Sequence, residues 1–477
     1  MLLHIVRKEL LDQLLSLRFA IACGICLIVF LLSAVVLTRE YREGLSTYNM
    51  NRVMHRNELQ QVSQIWDLNE GVTVDRPLNL MNTLVRGLSK ELTESVRVQP
   101  GNRLDFPEGW EQNPVLPLFP PVDFVFIVGI ILSLLALAFA YDGVSGEAET
   151  GVLKLLMSYS APRDLVLLGK WLGGYLALVT PFTVSFVLAL LVVLLFPDVQ
   201  PDAESSLALL ALYGLALLYL GAVYSLGLLV SCRTRLASTS ITVLLLLWVS
   251  LILAVPNMAP YVVSQVVPIP SAEEVDREKQ ALQMEQQRRF QEIIAEEQER
   301  LGRDNVWGDE SVQERFRVAA EESQAEIQKI EDSFRTQVAA QTRLSGILAR
   351  MSPLTSFNLA AFDLAAAGIA QEEEWVASLE AFGDTWSAYS EEKQRAYREW
   401  IQEQMAASHS GGVTITPQDM ERFNQDLDLS DAPRFDFTHM PVADRLDGIY
   451  VDLGLLALWN VAFFMLAYLS FLRYDIN

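Results

Sequence analysis

Between two long hydrophobic segments, the chain reads YDGVSGEAETGVLKLLMSYSAPRDLVLLGK from Tyr141 to Lys170. Each hydrophobic neighbour is long enough to cross a bilayer as a helix, which takes roughly 20 residues. The stretch between them is polar at its start and carries five apolar residues, Val152, Leu153, Leu155, Leu156 and Met157, around Lys154. This pattern predicts a short amphipathic helix at a membrane surface, with one face available for contact with another protein.

Six hydrophobic segments of the chain pass the same length criterion. They are residues 19–37, 122–140, 172–196, 207–230, 241–261 and 453–472. Residues 1–18 place apolar side chains at spacings of three and four, which predicts an amphipathic interfacial helix containing Arg7, Lys8 and Glu9. The predicted fold class is therefore mainly α, a six-helix transmembrane bundle with an amphipathic N-terminal interfacial helix.

The distribution of basic residues predicts the orientation of this bundle. The short loops on one side of the spans carry Arg7, Lys8, Arg18, Lys154, Arg163, Lys170, Arg233, Arg235 and Arg473. The short loop on the other side, residues 197–206, has acidic residues and neither Lys nor Arg. Under the positive-inside rule, both termini and residues 141–170 are cytoplasmic. Segments 38–121 and 262–452 are then both extracytoplasmic.

Segment 262–452 predicts a large, mostly helical extracytoplasmic domain. From Ser264 to Tyr450 there are about 36 acidic and about 18 basic residues, so most of the formal net charge of -23 lies here. Two charged runs with near-heptad apolar spacing, Ser271 to Leu301 and Glu310 to Arg350, predict an antiparallel coiled-coil hairpin. The charged outer faces of the hairpin are either a solvated surface or a docking surface for a partner protein.

Two further stretches of this domain have two interpretations each. The small-residue-rich run from Leu354 to Ala367 would pack on the membrane surface or on the base of the hairpin. Aromatic residues are dense between Glu372 and Met405, where they form either a hydrophobic core or a groove that contacts a ligand.

The sequence contains no recognisable catalytic or metal-binding set. Gly169 and Lys170 are followed by Trp171, so this position is not a phosphate-binding loop of an ATPase. The four histidines are scattered, and the centres of the spans carry essentially no ionisable residue. The acidic outer block argues against nucleic acid as a partner. We therefore predict that this chain is not an enzyme and holds neither a cofactor nor a metal ion.

Glycines and prolines in and beside the spans predict close helix packing and kinks. Small residues let two helix backbones approach each other, and a proline frees a backbone carbonyl and permits a bend. The positions are Gly169, Gly173, Pro181, Gly221 and Pro256.

The central stretch has a distinctive order of residues: Asp142, Ser145-Gly146-Glu147, Glu149, Gly151, Leu153-Lys154-Leu155-Leu156, Ser158, Arg163 and Leu168-Gly169-Lys170. Together with the N-terminal turn Arg7-Lys8-Glu9 and the six-span plan, this order resembles ABC transporter permeases of the type 2, exporter class. Within this class, the sequence is similar to the permeases of gliding-motility and nitrous-oxide-reductase maturation systems. The resemblance covers the N-terminal helix and all six spans. The long outer segments depart from the family pattern, because many relatives have short outer loops. The resemblance therefore does not identify the substrate.

The resemblance implies that the central stretch is a coupling helix that docks on a separate ATPase subunit. The docking residues are then Gly146, Glu147, Glu149, Gly151, Leu153, Lys154, Leu155 and Leu156. It also implies a bacterial cytoplasmic membrane protein that pairs with a second permease and two ATPase subunits. ATP hydrolysis would then drive export or mechanical action on an extracytoplasmic partner.

From the residues alone, two alternatives stand beside this interpretation. The central stretch is either a docking helix or only an amphipathic connector between two spans. The whole chain is either a permease or a non-transporting sensor or scaffold whose outer coiled coil binds an envelope protein.

Overall fold

The computed structural model describes residues 2–60, 62, 64–87, 95–101, 103–105, 122–158, 162–302, 310–411 and 429–474. The chain forms two compact units. The first consists of Met1–Leu247 and Ser356–Asn477, and the second of Trp248–Thr355.

Helices make up most of the described residues and are numbered here in chain order. The first eight are α1 (Leu2–Leu14), α2 (Leu17–Gln60), α3 (Phe124–Phe126), α4 (Ser133–Ala140), α5 (Ser145–Glu149), α6 (Val152–Ser158), α7 (Arg163–Leu194) and α8 (Ala203–Ser231). The next four are α9 (Ala237–Trp248), α10 (Val255–Val266), α11 (Ala272–Leu301) and α12 (Glu310–Ala349). The last four are α13 (Pro353–Leu364), α14 (Ile369–Gly411), α15 (Val442–Gly448) and α16 (Tyr450–Leu472).

Seven helical stretches within the described residues are long and apolar enough to cross a membrane. They are Leu17–Leu59, Phe124–Glu149, Arg163–Leu194, Ala203–Ser231, Ala237–Val266, Pro353–Glu403 and Tyr450–Leu472. Six overlap the hydrophobic segments of the sequence. The seventh, Pro353–Glu403, has the lowest mean hydropathy, 1.2, and its path is interrupted by Ala366, whose φ of 50° is left-handed. The chain is thus a multi-pass membrane protein, and the count of six spans stays a prediction.

Several helix boundaries differ from those expected. Helix α2 continues without a break to Gln60, well beyond the predicted end of the first span at residue 37. Helix α7 begins at Arg163, as Pro162 and Arg163 predict, and so starts before the predicted membrane span at residue 172. Pro162 supplies the extended residue before the helix, and Asp164 lies in its first turn. As a result Lys170 lies inside a helix and not in a loop. Two spans also contain π-helical turns, Ile127–Leu132 and Val249–Ala254.

The side of the membrane domain that carries α1, α5 and α6 is called here the terminal side, and the opposite side the distal side. The distal part of the first unit contains a sheet that the sequence did not lead us to expect. Its strands β1 (Val72–Asp75), β2 (Ser95–Gln99) and β3 (Arg103–Asp105) are antiparallel in the order β1-β2-β3. Opposite residues include Val72 with Val98 and Val74 with Val96, so apolar side chains pair across the ladder.

The dense aromatic residues of α14 form the core of this distal part. Trp375 and Trp386 are fully buried, and the rings of Phe435 and Phe437 pack edge-on against Trp375. The Trp386 Nε1 donates to the carbonyl of Leu68 at 3.3 Å. Val74, Val96 and Val98 complete the cluster from the sheet. This packing favours the core interpretation of the aromatic residues over the ligand groove.

Helix α13 packs deep against a candidate span. The Phe357 ring stacks on the Tyr219 ring of α8, with 4.7 Å between centroids, and both residues are fully buried. The C-terminal end of α13 is held from the distal side. Arg445 donates to the Leu364 carbonyl at 2.7 Å, and Asn79 donates to the Ala365 carbonyl at 2.7 Å. These bonds satisfy carbonyls that a helix end leaves without partners.

The second unit contains the helical hairpin of α11 and α12. Ser271 and Glu274 form a capping box at the start of α11, and Gly302, at a φ of 63°, follows its end. Ion pairs join the two helices in antiparallel order: Lys279 to Glu331, Arg289 to Glu322 and Arg315 to Glu297. Ile293, Val312 and Ala319 form a small apolar cluster between them. The coiled-coil character of the pair stays a prediction.

Candidate docking site on the terminal side

Helix α1 lies directly on the first turns of α7. A Cβ atom at Gly169 would lie 2.7 Å from Ile5 Cγ2, and one at Gly173 would lie 2.6 Å from Glu9 Cβ and 3.0 Å from the Val6 carbonyl oxygen. These distances are too short for any side chain, so glycine is what allows the two helices to touch. Gly221 occupies a similar position in α8, where a Cβ would lie 2.7 Å from Asn460 Oδ1.

Gly173→Ala is expected to destabilise the protein by about 1–3 kcal/mol, because α1 must move away from α7 to make room for the methyl group. Gly214→Ala is the matched control, since nothing lies within 4 Å of a Cβ at that helical glycine. Thermal unfolding of both purified variants measures the difference. Equal melting temperatures for the two variants would contradict the packing of α1 described above.

Lys170 connects α1 to α5 through a buried ionic cluster. The Lys170 Nζ lies 3.1 Å from Glu9 Oε1 and 2.8 Å from Glu147 Oε1, and the residue is only 3% exposed. Lys8 reaches the same Glu147 oxygen at 3.4 Å from the solvent side. Two positive and two negative charges therefore balance one another, and α1, α5 and α7 are joined at a single point.

The charges around this cluster also act on Lys8. Partial burial opposes the charged form of Lys8, but the carboxylates of Glu9 and Glu147 outweigh it and raise the Lys8 pKa above its ordinary value. A second ion pair lies nearby, where Arg18 Nη1 is 2.6 Å from Asp142 Oδ2. Helix α1, through Lys8, and the start of α2, through Arg18, are thus both held to the 141–158 stretch by charge.

The start of the central stretch is tied to the end of α8. The hydroxyl oxygen of Ser231 accepts the backbone N–H groups of Val144 and Ser145, each at 3.0 Å. Neither Asp142 nor Ser145 caps α5 through its side chain, because Asp142 pairs with Arg18 and Ser145 donates to the Tyr141 carbonyl. The stretch is therefore held by tertiary contacts.

The predicted single coupling helix is two short helices, α5 and α6, separated at Gly151. Gly151 has a φ of 76°, a left-handed conformation that glycine adopts without strain. The Gly151 N–H donates to the Ala148 carbonyl at 3.2 Å and so closes the end of α5. The break turns α6 relative to α5 and decides which of its side chains point outward.

The expected docking residues divide into an inner and an outer set. Leu153 is 1% exposed and lies in a cluster with Val166, Leu228 and Phe471, whereas Leu155 is 66% exposed. Gly146 and Glu147 also face the protein, and Leu156 is half-buried. The outer set consists of Glu149, Lys154 and Leu155; together with Val152, an exposed neighbour that was not predicted, it is called here the outer face. Glu149 also accepts the Ala237 N–H at the start of α9, at 3.0 Å.

The remaining sequence-predicted positions are not part of the outer face. Arg7 is exposed on α1, Pro181 is inside α7, and Pro256 follows the π-helical turn at the start of α10. Lys170 and Ser231 were not selected as site residues from the sequence. The signal for Lys170 was a single lysine in an otherwise apolar run, Leu168-Gly169-Lys170-Trp171-Leu172. Among the described residues, no group of three or more His, Cys, Asp or Glu side chains could hold a metal ion.

The interfacial helix α1, the buried Lys170 bridge and the bent stretch that carries the outer face thus form one connected arrangement on the terminal side. The family model for ABC-2 family transporter proteins matches residues 3–476. The chain belongs to this family. It is therefore a multi-pass membrane protein of an ABC transporter family.

Two curated relatives agree with this assignment over part of the chain. The probable ABC transporter permease protein NosY of Pseudomonas aeruginosa is 42% identical over 71 residues, which are 15% of this chain and 26% of that protein. The protein of the same name from Stutzerimonas stutzeri is 40% identical over 68 residues, 14% of this chain and 25% of that protein. The permease thus aligns with about a quarter of the length of these relatives.

Proposed function

We propose that this permease couples ATP hydrolysis by two separate ATPase subunits to work on the far side of the membrane, as one member of a homo- or heteromeric permease pair. The observation that carries this proposal is the Lys170 bridge to Glu9 and Glu147. This bridge fixes α1 and α5 on α7. A displacement of the outer face by the ATPase would then move α1, the 141–158 stretch and the start of α7 as one body.

The outer face has the chemistry that a docking helix needs. Val152 and Leu155 offer apolar area, and Glu149 and Lys154 offer charges of opposite sign at its edge. An exposed apolar patch with a charged rim is typical of a surface that receives another protein. The half that faces inward, including Leu153, is packed on the ends of α7, α8 and α16. The stretch thus has one side for the spans and one for a partner.

The proposed topology has six spans with the terminal side in the cytoplasm of a bacterium. The basic residues of the short loops support this orientation. The stretch Pro353–Glu403 is left out of the spans because α14 packs through Trp375 and Trp386 onto the sheet of the distal part. The distal part and the hairpin of α11 and α12 then lie outside the cytoplasm.

Between export and mechanical action, we favour mechanical action on an extracytoplasmic partner. Tyr219 lies near the middle of α8, and Phe357 of α13 stacks directly on it. The far end of α13 is bonded to Arg445 and Asn79 of the distal part. Movement of α8 would thus reach the distal part through a rigid helix. A sensor or scaffold that moves nothing is the second candidate, and it would require no ATPase.

Leu155→Asp is expected to abolish co-purification of the ATPase, because a charge on the exposed apolar centre of the outer face must be desolvated on docking. Leu344→Asp is the matched control, since Leu344 is an exposed leucine of α12. Affinity purification of the tagged permease with its ATPase measures retention. ATPase retained equally by the Leu155→Asp variant would contradict the docking role and leave the scaffold as the better candidate.

A further inference from the structure

Arginines from three segments of the chain converge on the terminal-side end of α16. Arg163, the first residue of α7, donates through Nη1 to the carbonyl of Leu472 at 2.7 Å. Arg233, which follows α8, donates through Nε to the Ser470 hydroxyl at 3.2 Å. Both acceptors lie in the last turn of α16, so the two arginines are held at the same helix end.

Two more arginines add to this positive charge. Arg473 directly follows the last residue of α16. Arg235 directly follows Thr234, whose carbonyl oxygen accepts from the Tyr474 hydroxyl at 3.5 Å. Between described residues, no ion pair within 4.0 Å joins any of these four arginines to a carboxylate. Within the described residues, the end of α16 therefore carries several positive charges, and the hydrogen bonds of Arg163 and Arg233 there go to neutral groups.

An exposed apolar surface continues from these arginines along α16. Met465, Leu466, Leu469 and Leu472 are exposed. Their spacing of three and four residues places them on one side of the helix, and Arg473 falls on that same side. The positively charged end of α16 is thus followed along the same side of the helix by an exposed apolar stripe.

We propose that the end of α16, with Arg163, Arg233, Arg235 and Arg473, is a binding site for the phosphate headgroup of an anionic phospholipid. Guanidinium groups donate in pairs to phosphate oxygens, and basic clusters at the ends of membrane helices attract anionic headgroups. The acyl chains of the lipid lie along the stripe formed by Met465, Leu466, Leu469 and Leu472. An acidic surface of the ATPase would match the charge but would leave this stripe unexplained.

The test measures thermal stabilisation of the purified permease in detergent micelles to which phosphatidylglycerol, phosphatidylcholine or inorganic phosphate is added. Phosphatidylglycerol is expected to raise the melting temperature of the wild type in a concentration-dependent way, since a ligand stabilises the state it binds. In the double variant Arg233→Gln/Arg473→Gln, the apparent affinity for phosphatidylglycerol is expected to fall about thirtyfold. Phosphatidylcholine and inorganic phosphate should have little effect on either protein.

Arg52→Gln/Arg56→Gln is the matched control, because it removes two exposed arginines from the distal extension of α2 and should keep the full response to phosphatidylglycerol. If the Gln variant does not fold, Arg233→Lys/Arg473→Lys keeps the charge and should lose only part of the affinity. Equal responses of wild type and variant to phosphatidylglycerol would overturn the proposal, as would stabilisation by inorganic phosphate alone. Loss of ATPase binding with unchanged lipid binding would assign the cluster to the ATPase and overturn it as well.

Discussion

Lys170→Met is expected to destabilise the permease by about 3–5 kcal/mol, because removing one partner of a buried ionic cluster leaves the others uncompensated. The Glu9 and Glu147 carboxylates, 3.1 and 2.8 Å from Lys170 Nζ, would then face each other at a site screened from water. We expect α1 to separate from α7 in this variant. Thermal unfolding measures the destabilisation, and limited trypsin digestion at Arg7 and Lys8 measures the release of α1.

Lys8→Met is the matched control for this prediction. Lys8 pairs with the same Glu147 oxygen at 3.4 Å, but its side chain is 51% exposed. Exposed ion pairs contribute about 0–1 kcal/mol, so this variant should remain close to the wild type in stability. The Lys8→Met variant still has the trypsin site at Arg7. The rate of cleavage after Arg7 therefore measures the release of α1 in both variants. Similar stability of the Lys170 and Lys8 variants would mean that the buried lysine does not join the three helices.

Trp375→Ala is expected to remove about 3–5 kcal/mol from the stability of the distal part. The Trp375 ring is 1% exposed and is enclosed by Phe435 and Phe437, so its loss leaves a large cavity in the core. We expect this variant to keep its ATPase, because the proposed docking site lies on the opposite side of the spans. Protease resistance of the distal part and ATPase co-purification, measured on the same sample, separate the two effects.

Trp66→Ala controls for the loss of an indole ring as such. Trp66 is 53% exposed and touches the Tyr397 ring edge-on. Surface substitutions of this kind change stability by under about 1 kcal/mol. A Trp375 variant as protease-resistant as the Trp66 variant would show that the aromatic residues of α14 are not the core of the distal part.

The hydrophobic segments and the hairpin helices could be located from the sequence because their signals are long and periodic. Helices α11 and α12 begin and end within a residue or two of the predicted runs, since Ser271 and Gly302 are strong start and stop signals. The sheet was missed because its strands have only three to five residues each and are brought together by pairing across the chain. Strands that short carry little alternation for a sequence pattern to show.

The candidate docking stretch can be marked from the sequence, but its geometry cannot, and its docking role stays a prediction. A pattern can mark Gly146 to Leu156 as a polar stretch between spans, yet it cannot tell that Leu153 points inward while Leu155 points outward. That difference depends on the left-handed turn at Gly151 and on packing against Leu228 and Phe471. The partners of Lys170 are likewise far away in sequence, and only the packing of α1 on α7 brings Glu9 beside it.

Photo-crosslinking from the outer face tests the central claim most directly. A benzoylphenylalanine in place of Leu155, which is 66% exposed, should crosslink to the ATPase when the complex is irradiated in membranes. The same group in place of Leu153, which is 1% exposed, should crosslink only within the permease. A crosslink to the ATPase from position 153 but not from position 155, or from neither, would contradict the assignment of α5 and α6 as the site where the ATPase docks.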